Sequence, residues 1–265
     1  MPELTWLDLS LLAAAAALVG LSKTALPGAG TIAVAVFAAV LPARSSTGAL
    51  LVLLIVGDLF AVWSYHAHAD WATLRRMVPA VLAGIGVGAL FLAIADDAAV
   101  RRVIGVILLA LVAVTLLRRA GARRRERRTG ALETGARDAA GAPITSGAGR
   151  RVETGAYGVL AGFTTMVANA GGPVMSLYFL ASRFSINQFL GTAAWFFLAV
   201  NLAKTPFSIS LGLISAGSLR LDLVLAPAVV VGALIGRRLA RRINQKLFDR
   251  LVLTLTILSA SYLLV

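Results

Sequence analysis

Cysteine is absent from the chain, which removes disulfides, thiol nucleophiles and every cysteine-based metal site. Histidine occurs twice, His66 and His68 in YHAHADW, with no acid ligands at coordinating spacing; the pair reads as interfacial residues at a helix end beside Trp71. Charged residues make up 14% of the chain, against about a quarter of an ordinary soluble domain. Acids are the scarcer sign, 12 against 25 basic residues, and they form neither a histidine cluster nor a nucleophile–base pair. An integral membrane enzyme would therefore lack its machinery, and no catalytic residue, metal or cofactor is expected.

What is there is hydrocarbon. Apolar residues make up 59% of the chain and mean hydropathy is +0.87, the signature of a polytopic membrane protein. Helix-spanning runs fall at about 7–24, 46–65, 78–95, 99–117, 155–168, 186–204, 222–239 and 248–265. The opening MPELTWLDLS lacks the basic region of a cleaved signal, so the first run is expected to stay. The net charge of +13 lies mostly in short segments between runs, which makes it topogenic rather than nucleic-acid-binding. At 118–151 the hydrophobicity stops in an arginine-dense, Gly/Ala-rich stretch that reads as a cytoplasmic linker between a first membrane repeat, 1–117, and a second, 152–265.

Two apolar segments interrupt themselves. Gly20–Thr31, GLSKTALPGAGT, is broken by Pro27, Gly28 and Gly30 and carries Lys23; Gly162–Pro173, GFTTMVANAGGP, is broken by Gly171, Gly172 and Pro173 and carries Asn169. Backbone freed inside a bilayer persists only where it is buried in protein or lines a cavity, and paired breaks in corresponding halves mark a transporter's binding site.

The halves match in order. Pro79, Gly84 and Gly88 repeat as Pro227, Gly232 and Gly236; Gly48 precedes Asp58 by the interval at which Gly191 precedes Asn201; Gly20 and Gly162 open the two breaks; Arg102 and Arg250 begin the last helices. Placing the linker and the basic cluster Arg237–Lys246 inside makes 152–183 enter and leave on one side, a re-entrant hairpin folded at Ala170–Pro173. The first half gives a mirror-image hairpin over 7–41, so the expected fold is an all-α membrane protein of two inverted repeats, each a hairpin plus three transmembrane helices. A count with both segments fully crossing ranks second because it puts the basic cluster outside. A hairpin arm of about 14 residues climbs roughly 20 Å, enough to reach the midplane of a core about 30 Å thick.

At each tip a half-helix begins, near Thr31 and near Pro173, with the positive end of its dipole facing the midplane, a natural place for an anion. The expected substrate-binding set is Lys23, Thr24, Gly28, Gly30, Thr31, Asn169, Gly171, Gly172 and Lys204. Lys204 is also placed to snorkel toward the interface beside Pro206. Asp58, at the repeat position of Asn201, reads as a counter-ion to a lysine, a proton carrier or a hydrogen-bond acceptor for broken backbone. Gly84, Gly88, Gly232 and Gly236 read as packing glycines, and Trp195, Phe196 and Phe197 as packing or lipid contacts that also suit a gate.

The paired motifs GLSKTALPGAG and GFTTMVANAGGP, followed by Thr47–Gly48 or Gly191–Thr192 and then by P-x4-G-x3-G, resemble the duplicated pattern of the TauE/SafE sulfite exporter family, in the toluene-sulfonate uptake permease group. Both copies are poorer in glycine than that family's G-x-G-G-G. The resemblance implies secondary transport, commonly outward, of sulfite, sulfonates or related sulfur-containing anions across a bacterial inner membrane, with protons as an optional coupling ion. Another small anion, such as a carboxylate, is the alternative. A cation carrier is disfavoured by one embedded acid against two lysines, and a lipid-binding scaffold leaves both breaks unexplained. The sequence sets no oligomeric state.

Overall fold

The computed structural model describes residues 4–41, 43–94, 147–169, 171–210 and 212–262, all of it helix or short connection. The elements are α1 (Trp6–Thr24), α2 (Gly30–Val40), α3 (Ala43–Tyr65), a 3-10 turn (His66–His68), α4 (Trp71–Ile94), α5 (Gly147–Ala168), α6 (Gly171–Ala181), α7 (Ile186–Ser210), α8 (Ala216–Ala240) and α9 (Gln245–Tyr262). The apolar run at 99–117 and the linker up to residue 146 lie outside the described residues; α5 begins inside the segment read as linker.

Among the described residues, five helices are long and apolar enough to cross a membrane: Trp6–Thr24, Ser46–His68, Trp71–Phe91, Ile186–Ser210 and Ala216–Ala240. The two helices that follow the breaks, α2 and α6, have 11 residues each, about 16 Å of rise and half of a core about 30 Å thick. The arm entering the first break is longer than the sequence led us to expect. α1 runs for 19 residues, through Ser22 and Thr24, because their hydroxyls bond back to the Val19 and Gly20 carbonyls and so do not stop the helix. Its start is fixed by a capping box: Asp8 N–H donates to Thr5 Oγ1 and Thr5 N–H to Asp8 Oδ2.

The halves pack by exchange. α1 of the first half lies on α8 of the second, and α5 of the second lies on α4 of the first. Glycine makes both approaches. A Cβ on Gly20 would fall on the Val229 carbonyl, one on Gly232 on the Ala17 carbonyl, one on Gly84 on the Val159 carbonyl and one on Gly162 on the Val81 carbonyl. The P-x4-G-x3-G glycines are thus packing residues, as their isolation suggested. α3 and α7 run side by side between these pairs, with Gly48 against Leu213 and Gly191 against Tyr65 and His68.

Two apolar clusters result. Leu12, Val19, Phe37, Leu53, Leu225 and Val229 join α1, α2, α3 and α8. Met77, Val81, Tyr157, Phe179, Phe189 and Phe248 join α4, α5, α6, α7 and α9. Large apolar side chains such as Trp6, Leu90 and Leu223 face outward, as lipid contact requires.

Gly84 and Gly86 give a controlled test of the exchange. A Cβ at Gly84 meets backbone, whereas one at Gly86 meets nothing within 4 Å. Gly84→Val should lower unfolding stability in detergent by about 1–3 kcal/mol, with Gly86→Val near wild type. Equal thermal midpoints for the two variants would remove the close α4–α5 approach.

Candidate functional site

The last turn of α1 is Ser22-Lys23-Thr24. Ser22 is satisfied within its own helix, and Thr24 Oγ1 bonds both the Gly20 carbonyl and the Ala233 carbonyl of α8 at 3.0 Å. Tyr65 donates its hydroxyl to the Thr24 carbonyl at 2.9 Å, holding the end of α1 against α3. The chain then turns through Gly28, whose φ of 102° suits glycine, and Thr31 Oγ1 closes the turn onto the Gly28 carbonyl at 2.7 Å. In the second break α5 ends at Ala168, and Asn169 takes a left-handed φ of 53°, tolerated by asparagine. α6 then opens with Gly171-Gly172-Pro173, where proline at the start of a helix forfeits no hydrogen bond.

Both breaks border one cavity of about 60 Å³. From the first come Ser22, Lys23, Pro27, Gly28, Gly30 and Thr31; from the second Thr165, Asn169, Gly172 and Pro173; α7 adds Ala193, Ala194, Phe197 and Asn201, and Val34 and Leu54 complete the wall. Aligning Gly20 with Gly162 puts Lys23 opposite Thr165, Pro27 opposite Asn169, Gly30 opposite Gly172 and Thr31 opposite Pro173. Every one of these eight lines the cavity.

Three polar side chains join across the repeats. Lys23 Nζ lies 2.7 Å from Asp58 Oδ1, an ion pair whose acid is wholly buried and whose lysine is 11% exposed. Asn201 Nδ2 donates to Asp58 Oδ2 at 2.6 Å, so the two residues at matching repeat positions meet each other. Of the roles the sequence left open for Asp58, the geometry is that of counter-ion. Lys23 also lies 4.4 Å from the centre of the Phe197 ring, a cation–π contact.

Lys204 is 2% exposed and does not snorkel. Its Nζ donates to the Thr165 carbonyl at 2.9 Å, to Thr165 Oγ1 at 3.4 Å and to Asn169 Oδ1 at 2.5 Å. It therefore caps the end of α5, where partial negative charge collects. Because an ammonium only donates, it also fixes the Asn169 amide with its oxygen toward Lys204 and its NH2 away, within 3.5 Å of the Thr47 carbonyl.

Lys23, Gly28, Gly30, Thr31, Asn169, Gly172 and Asn201 come together at the cavity wall. Thr24, Gly171 and Lys204 do not line it. Thr24 faces α8, Gly171 packs on Thr165 and Ala161, and Lys204 stands behind Thr165 and Asn169. Ser22 and Thr165 line it without having been expected to, and Phe197, read as a packing residue that also suits a gate, lines it too; the repeat alignment would have found Thr165 as the counterpart of Lys23. Trp195 packs on Trp71, ring centres 5.1 Å apart. His66 and His68 are exposed, and among the described residues no group of three His, Asp or Glu could hold a metal ion.

A small cavity lined by two helix starts, backbone glycines, a lysine and an oriented amide suits a compact anion and not a cation. Compared with known families, the chain matches the one described as Sulfite exporter TauE/SafE over residues 12–263. No curated protein and no solved structure matches it. The match spans both breaks, both glycine pairs and every residue of the cavity wall, and the chain belongs to the TauE/SafE sulfite exporter family.

Proposed function

We propose that the protein is a secondary transporter that exports sulfite, a sulfonate or a related small sulfur-containing anion across the bacterial inner membrane, holding it in the cavity between the two breaks. The family is one of membrane transporters, and its description names sulfite export. The observation that carries the finer reading is the meeting of Lys23, Gly30, Asn169 and Gly172, from opposite halves of the chain, on one cavity wall. α2 and α6 point their N-terminal ends toward that space, and Lys23 and the Asn169 amide add donors beside them. The 11-residue lengths of α2 and α6 support a half-membrane helix after each break, and access alternates as one group of helices moves against the other. Outward movement of an anion is driven by the inside-negative potential, about 2.3 kcal/mol per charge per 100 mV, so proton coupling is compatible but not required.

Efflux from proteoliposomes loaded with sulfite, sulfonates, sulfate, carboxylates or amines tests this. Sulfite or sulfonate efflux, accelerated by an inside-negative potential, is the expected result. Movement of carboxylates or amines with no sulfur anion would overturn it.

A further inference from the structure

We propose that this site takes a singly charged oxyanion, because the groups around it leave one positive charge for the ligand to neutralise. The inference rests on the anion site proposed above and concerns the charge of its occupant.

Lys23 and Asp58 are 2.7 Å apart and cancel. Lys204 has no carboxylate partner among the described residues; all three of its acceptors are neutral oxygens, the Thr165 carbonyl, Thr165 Oγ1 and Asn169 Oδ1. The Thr165 carbonyl and Asn169 Oδ1 accept from Lys204 Nζ, and an ammonium keeps a third hydrogen for Thr165 Oγ1, a hydroxyl able to accept or donate. The other buried acid, Asp222, stands eleven positions before Ala233 on α8, whose carbonyl bonds Thr24. That is about 16 Å along the helix axis from the level of Thr24, and neither Asp222 oxygen reaches a partner among the described residues, so it does not pair with Lys204. The balance of Lys23, Asp58 and Lys204 is one positive charge.

Lys204 does not touch the cavity, yet Thr165 and Asn169, which hold it, are part of the wall. Its charge acts through the Asn169 amide, whose NH2 keeps one hydrogen beyond the one directed at the Thr47 carbonyl, and through low-dielectric protein over a short distance. A monoanion makes the occupied site neutral. A dianion of the same shape leaves one negative charge buried beside Asp58, and uncompensated buried charge is strongly disfavoured. The halves divide the work: Asp58 discharges the lysine that lines the cavity, and Asn201, its repeat counterpart, contributes a neutral amide where a second acid would cancel Lys204.

Methanesulfonate and sulfate are tetrahedral sulfur oxyanions that differ by one charge. Binding of each to the purified full chain, followed as displacement of radiolabelled sulfite, should favour methanesulfonate by about tenfold or more. Asp58→Asn keeps an amide–amide hydrogen bond to Asn201 and adds one positive charge, so the ratio should move toward sulfate by about tenfold or more. Should Asp58→Asn fail to fold, the wild-type ratio decides alone. Sulfate binding as tightly as methanesulfonate to wild type, or a ratio unchanged in folded Asp58→Asn, overturns the charge assignment while leaving the anion site standing. Failure of sulfite, methanesulfonate and sulfate all to bind removes the anion site and this inference with it.

Discussion

Gly172→Leu is expected to reduce transport by about a hundredfold or more, equivalent to about 2.7 kcal/mol, with the protein still folded and inserted. Gly172 lines the cavity, and a Cβ there meets no atom within 4 Å, so the added side chain enters the void and strains nothing. The cavity of about 60 Å³ is roughly four times the ~15 Å³ that holds one water, and the four carbons of leucine fill it. Gly172→Ala should retain part of the activity. The neighbouring breaks give the contrast. A Cβ on Gly171 would lie 2.9 Å from Thr165 Cβ and 3.2 Å from the Ala161 oxygen, so Gly171→Leu acts on packing. Gly28→Leu forces a β-carbon onto a φ of 102° at about 1–3 kcal/mol of strain. Flux in proteoliposomes, measured beside thermal unfolding in detergent, separates the cases. Wild-type flux through folded Gly172→Leu would place the anion elsewhere.

Lys23→Met is expected to cost about 3–5 kcal/mol of stability, because it strands Asp58, wholly buried, without its cation. The sequence placed Lys23 in the substrate-binding set and left Asp58 open as a counter-ion to a lysine; the ion pair couples the lysine's loss to stability as well as to binding. Lys23→Met combined with Asp58→Asn should recover most of that stability, since an asparagine at 58 needs no counter-charge and still accepts from Asn201. Transport should stay low in the double variant, because the ammonium beside the cavity is gone. Lys23→Arg should rescue in part: the charge remains, but a planar fork does not reproduce a compact ammonium 2.7 Å from Asp58 and 4.4 Å from the Phe197 ring. Denaturant unfolding and flux measured on wild type, Lys23→Met, Asp58→Asn and the double variant complete the cycle. Wild-type transport by the double variant would assign recognition to the backbone and Asn169 alone.

The breaks were legible because glycine and proline cannot continue a quiet helix in lipid, and the chain shows them twice. The spacing that matched Gly48–Asp58 with Gly191–Asn201 was also informative beyond its use as evidence of duplication, since those two polar residues meet at 2.6 Å. Other parts were hidden for physical reasons. Ser22 and Thr165 look like ordinary hydroxyls of an apolar helix, which usually bond their own backbone, as Ser22 does. Lys204 joins Thr165 and Asn169 across helices, a contact that no local pattern encodes. Gly171 and Gly172 are adjacent in sequence, but one step along a helix turns the side-chain direction by about 100°, so one packs and the other faces the void.

The exchange of helices between halves bears on how the chain is made. α1 is made roughly 210 residues before the surface that accepts its glycine face, around Val229 and Ala233. At about 5–20 residues per second the interval is roughly 10–40 s. During that time the glycine face of α1 and Thr24 Oγ1 lack their α8 partners, and α1 is held by α2, by α3 and by Tyr65 on the Thr24 carbonyl. α5 waits for nothing, because α4 is already in place when it arrives. The α1–α8 approach is therefore made long after α1 itself, and a ribosome that stops before α8 leaves a product in which the glycine face of α1 is uncovered.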